Sequence, residues 1–287
     1  MQNRKLVWGI IAFLLFLALV LGFIIFILKK DRGIEVFFLD VGQGDAILIQ
    51  QGANQVLIDG GRNGTALLEG LGKSMPFWDR EIEAIIVTHP DIDHYGGLMG
   101  ALDNYSVKNV IKTDAFKEGK EWKIFEEKIK NENASEIKSV CGMELIFSNG
   151  AKFQVVYPLE GNIVSNDSNN YSVVTKMDFG ENSFLFTGDI ERETENILIN
   201  SGIRLDADFL KVSHHGSKSS SSDEFLDAVS PEDAIISAGA GNPYNHPHKE
   251  TLKKLENRLV RIWRTDKEGR IIYKCRNKNE KCRAFAD

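Results

Sequence analysis

The chain has 287 residues, enough to bury a sizeable core, and its 43% hydrophobic and 26% charged residues are ordinary proportions for a folded protein. These proportions argue against intrinsic disorder. The formal net charge is −6, but residues 33–287 alone carry 30 basic and 40 acidic side chains, a net charge of −10. Such an acidic chain is unlike a high-affinity, non-specific DNA-binding protein, although a local basic patch remains compatible with it.

The chain begins with a segment long and apolar enough to cross a membrane. Residues 6–28 are uncharged and mostly aliphatic or aromatic, and at 1.5 Å per residue they span a hydrocarbon core of about 30 Å. The alternative is a cleaved signal peptide, but its apolar core is usually shorter and small residues follow it. Here the bulky residues 25–28 and then two lysines follow. We therefore expect residues 1–32 to be a single-pass membrane anchor that precedes a folded domain, residues 33–287. Basic residues flank both ends almost equally, so the expectation that this domain lies outside the cell rests on the short basic head.

Apolar periodicity predicts strands and helices along the rest of the chain. Residues 34–58 hold three strand-like runs joined by glycine-containing turns, which is typical of an antiparallel meander. Up to residue 131 the pattern predicts helix 66–71, strand 85–87, helix 97–102, strand 107–111 and helix 118–131. After a further set of strands, at 145–147, 153–157, 172–177 and 183–186, we expect helix 192–199, strand 209–212, helix 223–229, strand 234–237 and helix 249–255. A final hairpin is predicted from strands 260–263 and 270–273, with its turn at 266–269. No proline-rich or low-complexity linker separates the halves, so we expect one α/β domain with two sheets and helices outside.

The three cysteines give a weaker indication of the compartment. Cys275 and Cys282 bracket a polar stretch that a disulfide could close into a hairpin loop, as in an oxidising exterior; two unrelated thiols are the equally open alternative. Cys141 precedes an apolar run, and we expect it in the core.

The most informative stretch follows the predicted strand 85–87. Four potential metal ligands fall within six residues, namely His89, Asp91, Asp93 and His94. The other histidines also occur in pairs, His214 with His215 and His246 with His248, each near the end of a strand or before a helix, and strand 183–186 delivers Asp189. Histidines scattered at random would more often be core or surface residues, but all six occur in such positions.

Spacing suggests how these ligands divide between two ions. His89 and Asp91 are two residues apart, so on an extended backbone they point the same way and would share one ion. Asp93 and His94 are adjacent and would serve a second ion. Asp189 is suited to bridge the two, and the later histidine pairs would complete both sites. Two metals about 3.5–4 Å apart with a shared hydroxide are a common apparatus for attack on phosphoryl or carbonyl centres.

These motifs resemble those of the metallo-β-lactamase fold hydrolases. The family pattern H-x-H-x-D-H is similar to residues 89–94, with Asp91 in place of the second histidine, which resembles the hydrolase domain of bacterial competence DNA-channel proteins and their stand-alone relatives. Further matching segments follow in order: residues 39–46, 59–61, 169–174, 187–189, 211–217, 245–248 and 264–266. The resemblance covers residues 34–275. It implies a four-layer αββα sandwich, and it implies that Asp59 orients the metal ligands. Two departures are the single membrane span, which does not support DNA transport, and Asn245 in place of a glycine.

We assign roles as follows. The expected metal ligands are His89, Asp91, Asp93, His94, Asp189, His214 and His246, although the choice within each late pair is open. The expected catalytic residues are Asp93, Asp189, His215 and His248, the last two by contacting the oxyanion or protonating the leaving group, with support of the ligands as an equal alternative. The cofactors would be two divalent ions, zinc or manganese; the Asp91 carboxylate favours manganese.

The resemblance implies a membrane-anchored metal-dependent hydrolase, with a phosphodiester such as a nucleic acid as substrate and the lipid bilayer as the partner of residues 6–28. No protein partner follows from the sequence. The alternatives are an esterase acting on cell-wall or small-molecule phosphoesters, and a non-catalytic binding module that retains the fold. The complete ligand set argues against the binding module.

Overall fold

The computed structural model describes residues 2–30, 33–159 and 167–287. The first helix, α1, is Gln2–Lys30 and contains the predicted anchor. Its stretch Arg4–Ile24 has a mean hydropathy of 2.8 and is long enough to cross a membrane, and none of it is buried against the rest of the protein. A helix suits an apolar environment because it satisfies its own backbone hydrogen bonds.

Among the described residues, the elements after α1 form two successive groups. The first group comprises β1 (Ile34–Phe38), β2 (Ile47–Gln51), β3 (Asn54–Ile58), α2 (Gly64–Ser74), β4 (Glu81–Ile82), β5 (Ala84–Val87), α3 (Ile92–Tyr95), α4 (Leu98–Asn104), β6 (Ser106–Val107), β7 (Asn109–Lys112), α5 (Lys120–Glu132) and β8 (Ser135–Lys138). The second comprises β9 (Glu144–Ile146), β10 (Lys152–Tyr157), β11 (Val174–Phe179), β12 (Asn182–Phe186), α6 (Arg192–Asn200), β13 (Phe209–Lys211), α7 (Asp223–Val229), β14 (Asp233–Ile236), α8 (Lys249–Asn257), β15 (Arg261–Arg264), α9 (Thr265–Glu268), β16 (Ile271–Cys275) and β17 (Arg283–Ala286).

The strands form two large sheets and a small pair, β4 with β6. The first sheet has the order β17-β16-β1-β2-β3-β5-β7-β8, and the second has the order β15-β14-β13-β12-β11-β10-β9. In the first, β1, β2 and β3 form the predicted antiparallel meander, and β3, β5, β7 and β8 are parallel. In the second, β9 to β12 are antiparallel and β12 to β15 are parallel.

The two sheets pack face to face, and helices cover their outer faces. Strand β1 shows how the sequence builds these layers, because alternate residues of a strand point to opposite faces. Val36 and Phe38 lie in the core between the sheets, whereas Phe37 lies in the core under α2, α4 and α5. A third core joins the second sheet to α6, α7 and α8. The arrangement is the expected αββα sandwich, preceded by one apolar helix.

The predicted hairpin at residues 260–273 is wrong. Strand β15 lies beside β14 at the edge of the second sheet, whereas β16 lies in the first sheet between β1 and β17. The predicted turn is instead the short helix α9, which carries the chain from one sheet to the other. Strand patterns show that a segment is extended but do not show which sheet it joins.

Other differences come from exposed or interrupted segments. Strands β8 and β17 were not predicted, because their residues are mostly exposed and form no apolar run. The predicted strand 107–111 is divided between β6 and β7. Cys141 is half-buried rather than in the core, and Cys275 and Cys282 form a disulfide that closes the β16–β17 hairpin. The segment between the predicted strands 153–157 and 172–177 falls partly outside the described residues, which resume at Asp167.

Strand direction places the predicted ligands at one end of the sandwich. Strands β1, β3 and β5 run the same way, so the loops that follow them emerge together. The loops after β12 and β13 reach the same end. Val173, just before β11, lies there too, and its backbone N–H donates to the carbonyl of Thr88, just after β5, at 3.0 Å. The chain from α1 enters the first sheet at Ile34, which is the opposite end of β1.

Candidate metal centre

Five of the predicted residues converge where the two sheets meet. The Nε2 atoms of His94 and His215 each lie 3.2 Å from Oδ2 of Asp189, and His215 Nε2 lies 3.7 Å from Oδ2 of Asp93. The His89 ring lies 4.1 Å from the His94 ring, measured between centroids. Asp93 and His94 can both face the cluster because α3 supplies the turn that their adjacency required. His89, His94 and Asp189 form one group of close ligand atoms, and Asp93, His94 and His215 form another.

Several ligand atoms in this cluster have no hydrogen-bond partner among the described residues. They are Nε2 of His89, His94 and His215, and Oδ1 of Asp189. A buried polar atom without a partner costs about 1–3 kcal/mol, so such a concentration needs an explanation. Imidazole and carboxylate atoms converging in this way are the donor set of zinc, manganese and similar divalent ions. The residues present therefore fit a metal centre.

The opposite nitrogen of each imidazole is held by the surrounding structure. His94 Nδ1 lies 2.8 Å from Oδ2 of Asp59, and His215 Nδ1 lies 2.9 Å from the carbonyl of Ser237. His89 Nδ1 lies 2.9 Å from Oγ1 of Thr88. Such partners fix the tautomer and orientation of a ligating histidine. The contact with His94 gives Asp59 the orienting position that the resemblance implied.

The carboxylates of the cluster favour positive charge on two of its histidines, His94 and His215. Burial disfavours the imidazolium form of His94, but the carboxylates of Asp189 and Asp59 outweigh it and raise the pKa of His94 well above its ordinary value. For His215, burial is likewise outweighed by Asp189 and Asp45, and its pKa is raised. Burial would raise the pKa of Asp189, but the imidazoles of His215 and His94 lower it well below the usual range. The same carboxylates would stabilise a divalent cation in place of the protons.

A buried lysine beneath Asp189 was not predicted. The Lys211 side chain is fully buried, and its Nζ forms an ion pair with Asp45 and donates to the carbonyl of Gly188 at 3.2 Å. The same Nζ lies 3.7 Å from Oδ1 of Asp189, and Asp45 Oδ1 lies 3.4 Å from Nδ1 of His215. Asp45, in the segment between β1 and β2, is therefore part of the centre. The sequence feature that could have revealed this ion pair is a lysine in the apolar strand β13, because a buried strand rarely holds an unpaired cation.

The structure places His215, not His214, in the cluster. Both residues adopt left-handed backbone angles, φ 49° and 52°, which non-glycine residues seldom occupy. This tight turn directs His215 inward, whereas His214 Nδ1 lies 3.2 Å from Oε1 of Glu191. His215 rather than His214 therefore belongs to the groups of close ligand atoms among the described residues, and the choice of ligand stays a prediction. Sequence spacing could not decide it, because the preference depends on this backbone turn.

Asp91 also differs from its predicted position. Its Oδ1 accepts hydrogen bonds from Lys117 Nζ at 2.6 Å and from Ser168 Oγ at 2.7 Å, and Asp91 belongs to none of the close ligand groups. It precedes α3 with φ −98° and ψ 139°, and its carboxylate is held by Lys117 and Ser168. We expected Asp91 and His89 to share one ion, but among the described residues His89 is grouped with His94 and Asp189.

His246 and His248 lie beside the cluster rather than within it. The His246 ring centroid is 5.4 Å from that of His214, 6.2 Å from that of His215 and 4.9 Å from that of His248. Burial and the neighbouring histidines lower the pKa of His246 to about 4, which keeps it neutral at pH 7. His248 Nδ1 accepts a hydrogen bond from the backbone N–H of Lys218 at 3.1 Å. We expected this pair to complete the group of Asp93 and His94, but His215 lies beside these two residues instead. Asn245 has φ 59°, so it adopts the conformation expected of the glycine that it replaces.

Comparison with known proteins decides the family. The sequence profile of the metallo-beta-lactamase superfamily matches residues 39–144 and 158–240. The chain belongs to this superfamily. Members of the metallo-β-lactamase superfamily are generally metal-dependent hydrolases, in agreement with the clustered ligands.

Relatives within the superfamily agree with the resemblance found in the motifs. ComE operon protein 3 of Bacillus subtilis is 34% identical over 264 residues, which are 85% of this chain and 33% of that protein. Recombination protein 2 of Haemophilus influenzae is 31% identical over 240 residues, which are 83% of this chain and 28% of that protein. The chain thus spans about a third of the length of these relatives. The metallo-beta-lactamase fold protein YhfI from Bacillus subtilis has a TM-score of 0.54 at 12% identity, over 81% of this chain and 96% of YhfI, which supports the fold alone.

Proposed function

We propose that the protein is a membrane-anchored hydrolase of phosphodiesters that requires divalent metal ions. The observation that carries the proposal is the convergence around Asp189 of buried ligand atoms that make no hydrogen bond within the described part of the chain. In this proposal residues 1–32 are the anchor and residues 33–287 the hydrolase domain. The enzyme domain lies outside the cell.

Two ion positions follow from the ligand groups. Asp93, His94 and His215 would hold one ion, His89 would hold the other, and Asp189 would help to hold both. The ions, zinc or manganese, would supply Lewis-acid chemistry to a water molecule and to the substrate. Lys211 beneath Asp189 offsets part of the negative charge of this carboxylate.

The surroundings of the cluster support a phosphoester substrate. Lys117 lies at the edge of the centre beside Asp91, where a cation can meet an anionic substrate. His214, His246 and His248 form a second row of hydrogen-bonding groups near the cluster. The name of Recombination protein 2 points to DNA for that relative, and we extend a nucleic-acid substrate to this chain on that basis.

The proposal is tested on the purified full chain with bis-p-nitrophenyl phosphate and single-stranded DNA, with and without EDTA. We expect turnover that EDTA abolishes and that manganese or zinc restores. Asp189→Asn should lose turnover and bound metal together, whereas Asp103→Asn, the same substitution at an exposed position of α4, should retain both.

The other outcomes separate the alternatives. Cleavage of the small diester but not of DNA would indicate that the substrate is a cell-wall or small-molecule phosphoester. A full chain that contains no metal and cleaves no ester would overturn the proposal in favour of a binding module.

A further inference from the structure

The loop between α2 and β4 exposes two aromatic side chains side by side. Phe77 is 83% exposed and Trp78 is 70% exposed. Their ring centroids are 4.8 Å apart in an edge-to-face arrangement, so the two rings form one apolar patch. Exposed aromatic pairs of this kind mark interaction surfaces, and tryptophan in particular partitions to the membrane–water interface.

Contacts of the next residue place this patch relative to the first sheet. Gln55 Nε2 donates to Oδ2 of Asp79 at 3.1 Å. Gln55 in β3 is paired with Gln50 in β2, and Gln50 is paired with Glu35 in β1. The patch is therefore attached at the level of Glu35, two strands away. At 4.7–4.9 Å between strands, Gln55 and Glu35 are about 10 Å apart.

The same level of β1 is where the chain arrives from α1. Helix α1 ends at Lys30 and β1 begins at Ile34. The connecting residues can span at most about 14 Å when fully extended. If α1 crosses the bilayer, the membrane surface must lie close to Ile34, and the aromatic patch lies within reach of it.

We propose that Phe77 and Trp78 insert into the interface of the bilayer as a second membrane contact of the hydrolase domain. This inference rests on the proposed anchor but not on the proposed catalytic activity. A single point of attachment would let the domain rotate about it, whereas two contacts fix its orientation. The candidate metal centre lies in the loops that follow β1, β3 and β5, at the end of these strands opposite to Ile34. The fixed orientation therefore directs the centre away from the lipid.

The test uses the full chain in nanodiscs of phosphatidylcholine and phosphatidylglycerol with brominated acyl chains, which quench tryptophan fluorescence at short range. Trp8→Phe removes the tryptophan of the anchor, and the emission of Trp78 is obtained by difference from a Trp8→Phe/Trp78→Phe variant. A matched control adds Phe116→Trp to that double variant. Phe116 is 65% exposed and lies near Asp91 at the far end of the sandwich.

We expect brominated lipid to reduce the emission of Trp78 and to leave that of the tryptophan at position 116 unchanged. Emission of Trp78 that is as insensitive to bromine as the control would overturn the inference. Trp8 in the unmodified chain reports on the anchor separately. Quenching of Trp8 without quenching of Trp78 would refute the second contact alone, and quenching of neither would refute the anchor as well.

Discussion

At the scale of single residues, the direction in which a side chain points decides its role more than its place in a motif. His214 and His215 are adjacent and chemically identical, yet only His215 faces the carboxylates of Asp189 and Asp93. Asp91 and Asp93 are two residues apart, yet Asp91 is bound by Lys117 and Ser168.

The histidine pair yields a direct test of the ligand assignment. We expect His215→Ala to lower the metal content of the purified protein by at least one ion per chain, because it removes a ligand atom that faces the carboxylates of Asp189 and Asp93. His214→Ala should retain the metal, since His214 contacts Glu191 instead. The measurement is elemental analysis after dialysis. Equal metal loss in both variants would contradict the assignment.

The buried ion pair of Lys211 and Asp45 should be important for stability. We expect Lys211→Met to lower the free energy of unfolding by about 3–5 kcal/mol, because the Asp45 carboxylate would remain buried without its cation. Lys274→Met removes a half-exposed partner of Glu35 and should cost about 1 kcal/mol or less. Urea unfolding of both variants gives the comparison. The Asp45→Asn/Lys211→Met double variant completes the comparison. If its loss of unfolding free energy equalled the sum of the losses in the two single variants, the two residues would not be coupled.

At the scale of elements, the chain shows which predictions sequence pattern supports. Helix α7, Asp223–Val229, was predicted with its observed bounds, because Ser222 caps it and apolar residues follow at helical spacing. The meander β1–β3 was predicted from alternation and tight turns. The assignment of β15 and β16 to different sheets was not, because both segments alternate in the same way and their partners lie far away in sequence. Edge strands β8 and β17 lacked the apolar signal altogether.

The hairpin β16–β17 depends on its disulfide more than on packing, since β17 is largely exposed. Cys275 and Cys282 are seven residues apart, and closing a loop of this length stabilises the native state by about 2–3 kcal/mol in the chain-entropy description. We expect the Cys275→Ser/Cys282→Ser variant to lose a stability of that order in chemical unfolding without reductant. Cys141→Ser, at a half-buried free thiol, serves as the control. An unchanged unfolding midpoint in the double variant would refute the expectation.

At the scale of the whole molecule, the fold was more predictable than the site. The motifs indicated the αββα sandwich and the presence of a metal centre, and the structure and the superfamily match confirm the fold. The partition of ligands between ions could not be deduced, because it depends on the left-handed turn at His214 and His215 and on the contacts of Asp91. Lys211 escaped prediction because its partners, Asp45 and Asp189, come from different sheets.

Metal removal should affect stability as well as activity. An ion that binds the folded state alone stabilises it by about 2.7 kcal/mol when its free concentration is 100 times the dissociation constant. We expect EDTA to lower the melting temperature of the full chain in calorimetry, and added manganese or zinc to restore it. Asp189→Asn should show no such response, because it lacks the shared ligand. A melting temperature that is insensitive to EDTA in the unmodified chain would contradict a bound ion.

The meeting of the two sheets at the metal centre also has a consequence for the order of folding events. The ligands extend from His89 to His215 along the chain and belong to loops of both sheets, so neither half can assemble the centre alone. Contacts so distant in sequence form late, after the sheets have docked. The ion therefore acts on a structure that is already largely built: it should slow unfolding while leaving the refolding rate nearly unchanged. A metal bound here would therefore stabilise the finished fold rather than nucleate its formation.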